Sequence, residues 1–228
     1  MKSTFFLLPL LLSLLAGKSQ SQNVPYKPGV ALVAHAGTAG YGIGISKSLS
    51  RQLALRVGIN QFTYKGTLTS GKATDELQIG FDYTIRLLSF NGLIDYYPFK
   101  RAGLHLTAGA YVNQNEVTFF GKPTKDVRFN DVVFTIDQVG TVSGKASFAK
   151  VAPYAGIGWG HPFLRNRFKV MADVGFFYQQ SPSISLTTTG MLEPSSDQAP
   201  VIENNLKPLK YYPVISLGLA YNFLSTSF

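Results

Sequence analysis

The stretch PVISLGLAYNF, residues 213–223, decides the fold. From residue 215 onward its odd-numbered side chains are apolar, and its even-numbered side chains are small or polar. This period of two is that of a β-strand whose two faces meet different surroundings. An apolar row that ends on an aromatic residue, here Phe223, is typical of the last strand of a membrane β-barrel. We therefore assign odd positions such as Leu217 to lipid, and even positions such as Ser216 to the barrel interior.

The composition supports an all-β protein with a basic surface. The chain has 17 Phe, 12 Tyr, 22 Gly and no Cys, and its formal net charge is +9. No run beyond the first residues approaches the roughly 18 apolar residues of a transmembrane helix. Basic side chains on an exported barrel are expected to meet anionic lipopolysaccharide or anionic lipid. The alternative, which we favour, is that scattered loop lysines only keep the ends hydrated. Nucleic acid is not an expected partner outside the cell.

The first residues have the pattern of a secretory signal peptide. Lys2 gives a positive start, residues 5–15 are apolar, and residues 16–22 are small or polar. The apolar segment is too short to span a bilayer. We predict a signal peptide over 1–21 and a barrel domain over 22–228, with cleavage nearer Ala16 as the alternative. The expected location is the outer membrane of a Gram-negative bacterium.

The same alternation predicts six further strands, and the connections between strands follow a rhythm. Short connections are expected at 46–52, 98–103 and 161–167, and long ones at 63–76, 116–150 and 181–210. Outer-membrane barrels have short periplasmic turns and longer external loops, so the rhythm fits this class. The further strands are predicted at 36–45, 53–62, 77–96, 104–115, 154–160 and 168–178.

An even strand number requires one more strand, because bacterial barrels of this kind have even numbers. Residues 30–34, joined by a tight turn between Gly37 and Gly40, are the candidate. The predicted fold is all-β: a closed antiparallel up-and-down transmembrane barrel of eight strands. Ten strands would result if a hairpin within 116–150 entered the membrane. The apolar phase also slips near Leu88, which predicts a bulge at 87–89.

With these features the chain resembles small bacterial outer-membrane β-barrel proteins, and its size and layout are similar to the transmembrane domain of the OmpA family. The segments LIDYYPF (93–99), PYAGIGWG (153–160) and ADVGFFYQQSP (172–182) also resemble uncharacterised outer-membrane β-barrel proteins. The resemblance implies partners in outer-membrane lipid, lipopolysaccharide and the assembly machinery that reads the C-terminal strand. One departure is that Phe223, not Phe228, is in register with the outward row. Either the tail is free in the periplasm, or a bulge lets Phe228 end the strand.

Inward positions carry many glycines and a few charges. The interior of an eight-stranded barrel is about wide enough for side chains to fill, which favours a packed lumen over an open channel. Enclosed charges must be paired, because an unpaired partner costs several kcal/mol. We predict a lumen charge cluster that acts either as a plug holding the barrel shut or as a gate whose pairs switch. Its predicted members are Arg56, Asp95, Asp173, Lys169 and His105.

Aromatic residues gather at the two ends of the predicted strands, which is the girdle pattern of membrane barrels. A soluble lipocalin-like barrel is the rival interpretation, but inward glycines fit poorly with the bulky walls of a lipocalin interior. The girdle residues expected at the periplasmic interface are Tyr96, Phe99, Trp159, Phe163, Phe168 and Phe223. Those expected at the outer interface are Phe62, Tyr64, Tyr178, Tyr211 and Tyr212.

The sequence predicts no enzyme, metal or cofactor. There are 3 His: His105 shares a face with Thr107 without completing a nucleophilic triad, and His161 lies beside Pro162 as an expected interface residue. No His or Cys cluster has metal-ligand spacing. The predicted function is a structural or loop-mediated binding role with a closed lumen and an unidentified loop ligand. The alternatives are a narrow porin-like channel for ions or small solutes, and a lipid-modifying outer-membrane hydrolase.

Overall fold

The computed structural model describes residues 26–71, 78–100, 102–129, 132–164 and 166–225. The predicted signal peptide and Phe228 lie outside these residues. Among the described residues no helix is both long and apolar enough to cross a membrane. The strands are β1 (Gly29–Gly37), β2 (Gly40–Ser48), β3 (Leu53–Ser70), β4 (Ile79–Tyr96), β5 (Leu104–Asn113), β6 (Glu116–Pro123), β7 (Val127–Phe129), β8 (Val132–Phe134), β9 (Val142–Ser147), β10 (Val151–Trp159), β11 (Phe168–Tyr178), β12 (Ser183–Thr188) and β13 (Tyr211–Ser225). The helices are α1 (Ile136–Val139), α2 (Ala199–Leu206) and the 3-10 segments Gly190–Gln198 and Lys207–Lys210.

Eight strands form a closed antiparallel ring in the order β1, β2, β3, β4, β5, β10, β11 and β13, with β13 pairing back to β1. This confirms the predicted eight-stranded barrel. The ten-stranded alternative is wrong, because the strands within 116–150 stay outside the ring. A tight turn at Thr38 and Ala39 joins β1 to β2, as predicted, and Gly40 has a φ of 99° that favours glycine there. The predicted start of the strand at 36–45 was therefore wrong, because residues 36 and 37 belong to the end of β1.

The faces of the ring follow the predicted alternation. Leu217 is 64% exposed and faces outward, whereas Ala220 is buried on the inner face of the same strand. The register between β1 and β13 shifts between Val30 and Ala31, which places an irregularity opposite Phe223. β13 continues to Ser225, beyond the outward-facing Phe223. The last strand is thus long enough to close the ring along the whole of β1.

Beyond the ring, the long connections form additional β-structure. β3 and β4 stay paired as far as Ser70 and Ile79, so the loop predicted at 63–76 is largely a hairpin. Above Arg86, β4 exchanges its partner β5 for β6, and β9 and β12 follow. The upper parts of β3 and β4, together with β6, β9 and β12, make a five-stranded sheet that we call the extension sheet. The β-like piece expected near 132–136 is β8, paired with β7.

The bulge predicted at 87–89 is absent from the β3–β4 pair, whose register is constant from Leu53–Tyr96 to Ser70–Ile79. Odd residues of β4 lie on one face throughout. In the ring this face points into the lumen and carries Asp95 and Asn91, which are buried. In the extension sheet the same face carries Phe81 and other apolar side chains. The apolar pattern changed phase because the surroundings of the two faces change above the barrel, not because the strand slips.

Candidate functional site in the barrel lumen

Four charged or ionisable side chains meet in the lower half of the lumen. The Arg56 Nη2 lies 3.0 Å from Asp95 Oδ1 and 3.1 Å from Asp173 Oδ1, and its Nη1 lies 3.2 Å from Asp173 Oδ2. The His105 Nε2 lies 3.0 Å from Asp173 Oδ1. We call Arg56, Asp95, His105 and Asp173 the charge layer. The structure thus brings together four of the five predicted members of the lumen cluster.

The fifth predicted member, Lys169, lies on the same inward face of β11 as Asp173 but nearer the periplasmic end. It is half-buried and makes no ion pair with any residue that the structure describes. Met171 lies two positions from each of these residues, on the same face of β11, and it is buried between them. Lys169 is therefore a rim residue rather than a part of the charge layer.

Strand register explains why these residues meet. Gly158 of β10 pairs with His105 of β5 on one side and with Asp173 of β11 on the other. A Cβ atom on Gly158 would overlap both His105 Nε2 and Asp173 Oδ1, so the glycine leaves the space across which they bond. On the other side of the layer, Asp95 pairs with Thr107, whose Oγ1 donates a hydrogen bond of 2.7 Å to Asp95 Oδ1.

The charge layer is buried and balanced. Asp95 and His105 are both 0% exposed. His105 Nδ1 donates to the Gly103 carbonyl at 3.1 Å, while Nε2 faces the carboxylate of Asp173. Both partners only accept hydrogen bonds, so both contacts are satisfied together when the imidazole carries two protons. Two positive groups then face two carboxylates, and the layer has no net charge. Such pairing is what allows charges to be enclosed in a narrow lumen.

An aromatic floor lies below this layer, at the end of the barrel where β1 begins. Tyr97 stacks on His161 with ring centroids 3.8 Å apart, and Phe163 packs edge-on to the same imidazole. Phe163 is 1% exposed and His161 is 2% exposed. The assignments of Phe163 to the girdle and of His161 to the interface were wrong, because the turn between β10 and β11 folds inward under the barrel. Burial lowers the pKa of His161 to about 4.

A small space and an aromatic ceiling lie above the charge layer. The space has a volume of about 30 Å³, which is room for a few water molecules at most. His35 contacts Asn60 at its wall, and Asn60 in turn donates to Ser89. Over it, the Phe177 ring stacks on Tyr111 and Tyr212 with centroid distances of 5.0 and 4.8 Å. The lumen is therefore filled at three levels.

The sequence reasoning missed the aromatic ceiling. Its members Tyr111, Tyr154 and Phe177 occupy inward positions of strands whose outward rows are also apolar, so hydropathy alone hides them. One signal was available: Gly156 and Gly175 lie where a Cβ would meet the Tyr154 hydroxyl. Small residues facing each other on neighbouring strands indicate a large side chain leaning across them.

Seven of the eleven predicted girdle residues face outward, and Phe163 is buried in the floor. Phe168, the most exposed member, is 70% exposed. Phe62, Tyr64 and Tyr212 were assigned to the outer interface wrongly, because all three lie on the inner face of their strands, where β3 continues into the extension sheet and β13 covers the ceiling. The outward-facing members are Tyr96, Phe99, Trp159, Phe168 and Phe223 at one end and Tyr178 and Tyr211 at the other.

Comparison with known proteins supports the barrel fold. No family model and no curated protein matches the sequence. The structure is similar to the crystal structure of CarO2 from Acinetobacter baumannii, with a TM-score of 0.58 and 19% identity over 87% of this chain and 100% of that chain. CarO from the same organism gives a TM-score of 0.54 and 22% identity over 86% and 98% of the two chains. The fold is that of a small outer-membrane β-barrel. A similarity to OmpA in particular stays a prediction.

Within this fold, the described residues contain no group of three or more His, Cys, Asp or Glu side chains placed to hold a metal ion. The Thr107 hydroxyl donates to Asp95, while His105 is engaged by Asp173. The lumen geometry therefore provides a paired electrostatic layer between two aromatic layers. Its ion pairs join β3 to β11 across the lumen.

Proposed function

We propose that the protein is a sealed outer-membrane β-barrel that serves as a scaffold, with its binding surface in the extension sheet and the segments around it. The observation that carries this proposal is the charge layer enclosed between two aromatic layers. The space between the charge layer and the ceiling has a volume of about 30 Å³, which is room for a few water molecules at most. Loops and sheets held on a rigid scaffold are the usual sites of recognition.

Placement in the outer membrane is supported by the outer surface of the ring. Large apolar side chains cover it, among them Val170, Leu219 and Ile215. Such a surface is unfavourable in water and matches the apolar band of a membrane barrel. The connections β2–β3, β4–β5 and β10–β11 are short and lie at the end where β1 begins and β13 ends, which supports a periplasmic location for both. The C-terminal strand is then available to the assembly machinery as proposed.

Contact with lipopolysaccharide is supported by basic residues just above the apolar band. Lys65, Arg86 and Lys145 lie on the face of the extension sheet that continues the outward face of the ring. Glu116 lies between the last two, with Lys145 Nζ at 2.7 Å, and this hydrogen bond lowers the pKa of the Glu116 carboxyl. The set has an excess of positive charge, which suits the phosphate groups of the outer leaflet.

The two alternative functions have less support. A pore requires that the charge layer separate, which would leave buried charges without partners. A hydrolase requires that substrate reach His105, yet this side chain is enclosed between the floor and the ceiling. We therefore propose a non-enzymatic role.

Flux through reconstituted protein tests the proposal. Liposomes containing the mature chain are expected to swell in small sugars or amino acids no faster than protein-free liposomes. Folding is checked in the same sample by the heat-dependent shift in gel mobility. Swelling by folded protein at rates above the protein-free control would contradict a sealed lumen and favour the channel.

A further inference from the structure

A second, larger space lies at the external mouth of the barrel, above the aromatic ceiling. Its volume is about 360 Å³, which is within the range of small-molecule sites in proteins. One wall is formed by the inner face of β4 and β6, and the opposite wall by the start of β13. We call this space the outer vestibule. Its apolar lining includes Ile85, Leu87, Val117, Phe148, Leu209 and Pro213.

Most of the polar groups at the vestibule wall are engaged by the protein itself. The Gln179 amide accepts from Asn113 Nδ2 at 3.0 Å and donates to the Leu209 carbonyl at 2.9 Å. Asn115 Oδ1 accepts from the Leu88 backbone N–H at 3.0 Å. These contacts leave the amides with little capacity for a polar ligand.

Polar groups on the opposite wall, at the start of β13, are hydrogen-bonded within the protein as well. The Tyr212 hydroxyl donates to the Thr38 carbonyl at 2.8 Å, and the Thr38 hydroxyl donates to the Pro213 carbonyl at 2.8 Å. Glu116 is the one charged residue of the lining, and its carboxylate is bound to Lys145. A ligand in this space would therefore meet hydrocarbon on most sides and few free donors or acceptors.

We propose that the outer vestibule binds an aliphatic chain. An apolar wall with satisfied polar groups selects against polar molecules, because a polar ligand would lose its hydrogen bonds to water without replacing them. The chain has two sources by chemistry: a free amphiphile from outside the cell, or the acyl chain of a lipid in the outer leaflet. This inference rests on the proposed function, since it assigns a ligand class to the external side of the sealed barrel.

Tryptophan quenching by brominated chains tests the proposal. The single Trp, Trp159, lies in the outward girdle, and Trp159→Phe removes its signal. In that background Phe148→Trp places a reporter at the vestibule. Phe120→Trp places a matched reporter on β6, on the opposite, polar face of the extension sheet. The probes are 11-bromoundecanol added to nanodiscs, and nanodiscs made with dibrominated phosphatidylcholine.

The expected result is saturable quenching of the Phe148→Trp reporter by 11-bromoundecanol, with weak and non-saturable quenching of the Phe120→Trp reporter. Adding Val117→Phe, which fills the vestibule, is expected to remove at least nine-tenths of the saturable part. Quenching of the vestibule reporter by the brominated lipid alone would identify a lipid acyl chain as the occupant.

Equal quenching at both reporters, or none at the vestibule with either probe, would overturn the assignment. Each variant is first checked for its heat-dependent gel shift, so that an unfolded protein is not scored. A vestibule that binds no chain would leave the sealed lumen intact, because liposome swelling tests the lumen separately.

Discussion

Gly158 separates His105 from Asp173 in one row of the barrel wall, and the missing side chain lets His105 Nε2 approach Asp173 Oδ1 to 3.0 Å. A neighbouring pair across a glycine is thus the geometric basis of the charge layer. The row joins the consecutive strands β10 and β11 to β5, which is distant from them in sequence. The backbone pairing of these strands and the packing of the lumen therefore both depend on Gly158.

Gly158→Ala is expected to destabilise the barrel by about 1–3 kcal/mol, the usual cost of forcing extra atoms into a packed interior. The new Cβ would push His105 away from Asp173. The measurement is urea unfolding in lipid vesicles. Gly92→Ala is the matched control, because a Cβ on Gly92 meets no atom within 4 Å. Equal stability of the two variants would show that the row is not tightly packed.

Arg56→Ala is expected to cost about 3–5 kcal/mol, because it leaves the carboxylates of Asp95 and Asp173 buried without their shared partner. Combining it with Asp95→Asn and Asp173→Asn should recover part of the loss, since the uncompensated charges are then gone. Unfolding free energies of the single and triple variants measure this. A single variant as stable as the parent would remove the charge layer from the account of stability.

Leu217→Arg is expected to cost roughly 2–4 kcal/mol if the site is near the bilayer midplane, because a charge is placed against lipid. Thr67→Arg is the comparison: it lies on the corresponding outward face of β3, but above the ring and opposite Asp82. That change is expected to alter stability by no more than about 0.5 kcal/mol. Similar costs for both variants would contradict the placement of Leu217 in the lipid-facing band of the barrel.

Acid is expected to weaken the periplasmic floor through His161. Above about pH 6.5 the imidazole is neutral in both folded and unfolded protein. Between pH 6.5 and about 4 only the unfolded chain binds the proton, so the free energy of unfolding falls as the pH falls. The effect is at most a few kcal/mol.

His161→Phe keeps the stacking on Tyr97 and removes this titration. The variant should lose less stability than the parent between pH 7 and pH 4.5, as measured by urea midpoints at both values. The Asp and Glu carboxylates titrate in both proteins, so their contributions cancel in the difference between the two. An unchanged pH dependence would mean that His161 is protonated without cost in the folded state.

The ring itself could be predicted from the sequence because a lipid surface forces strict alternation, as Ile215, Leu217 and Leu219 show. The pairing of Arg56 with Asp95 and Asp173 followed from the parity and depth of their strands. The extension sheet could not be predicted, because above the ring the outward row of β3 becomes polar, as at Thr67, and its inward row mixes Gly66 with Tyr64 and Leu68. The pairing of the upper part of β3 with β4 is visible only in the backbone register of the two strands.

The inward turn that buries Phe163 could not be predicted from the sequence either. An aromatic residue beside a short periplasmic turn fits the girdle as well as the lumen, and only the contacts with Tyr97 and His161 distinguish them. Tyr212 was misassigned for a similar reason. Two consecutive tyrosines at the start of β13 necessarily face opposite sides, and Tyr212 is the one that stacks on Phe177.

Single-channel recording in a planar bilayer tests the central claim most directly. No current steps are expected from mature protein that is folded and inserted, with insertion verified by flotation of the same preparation with vesicles. Irregular leak is expected from Arg56→Ala under the same conditions. Steady, reproducible openings of the unmodified protein would contradict a sealed lumen and make the charge layer a gate.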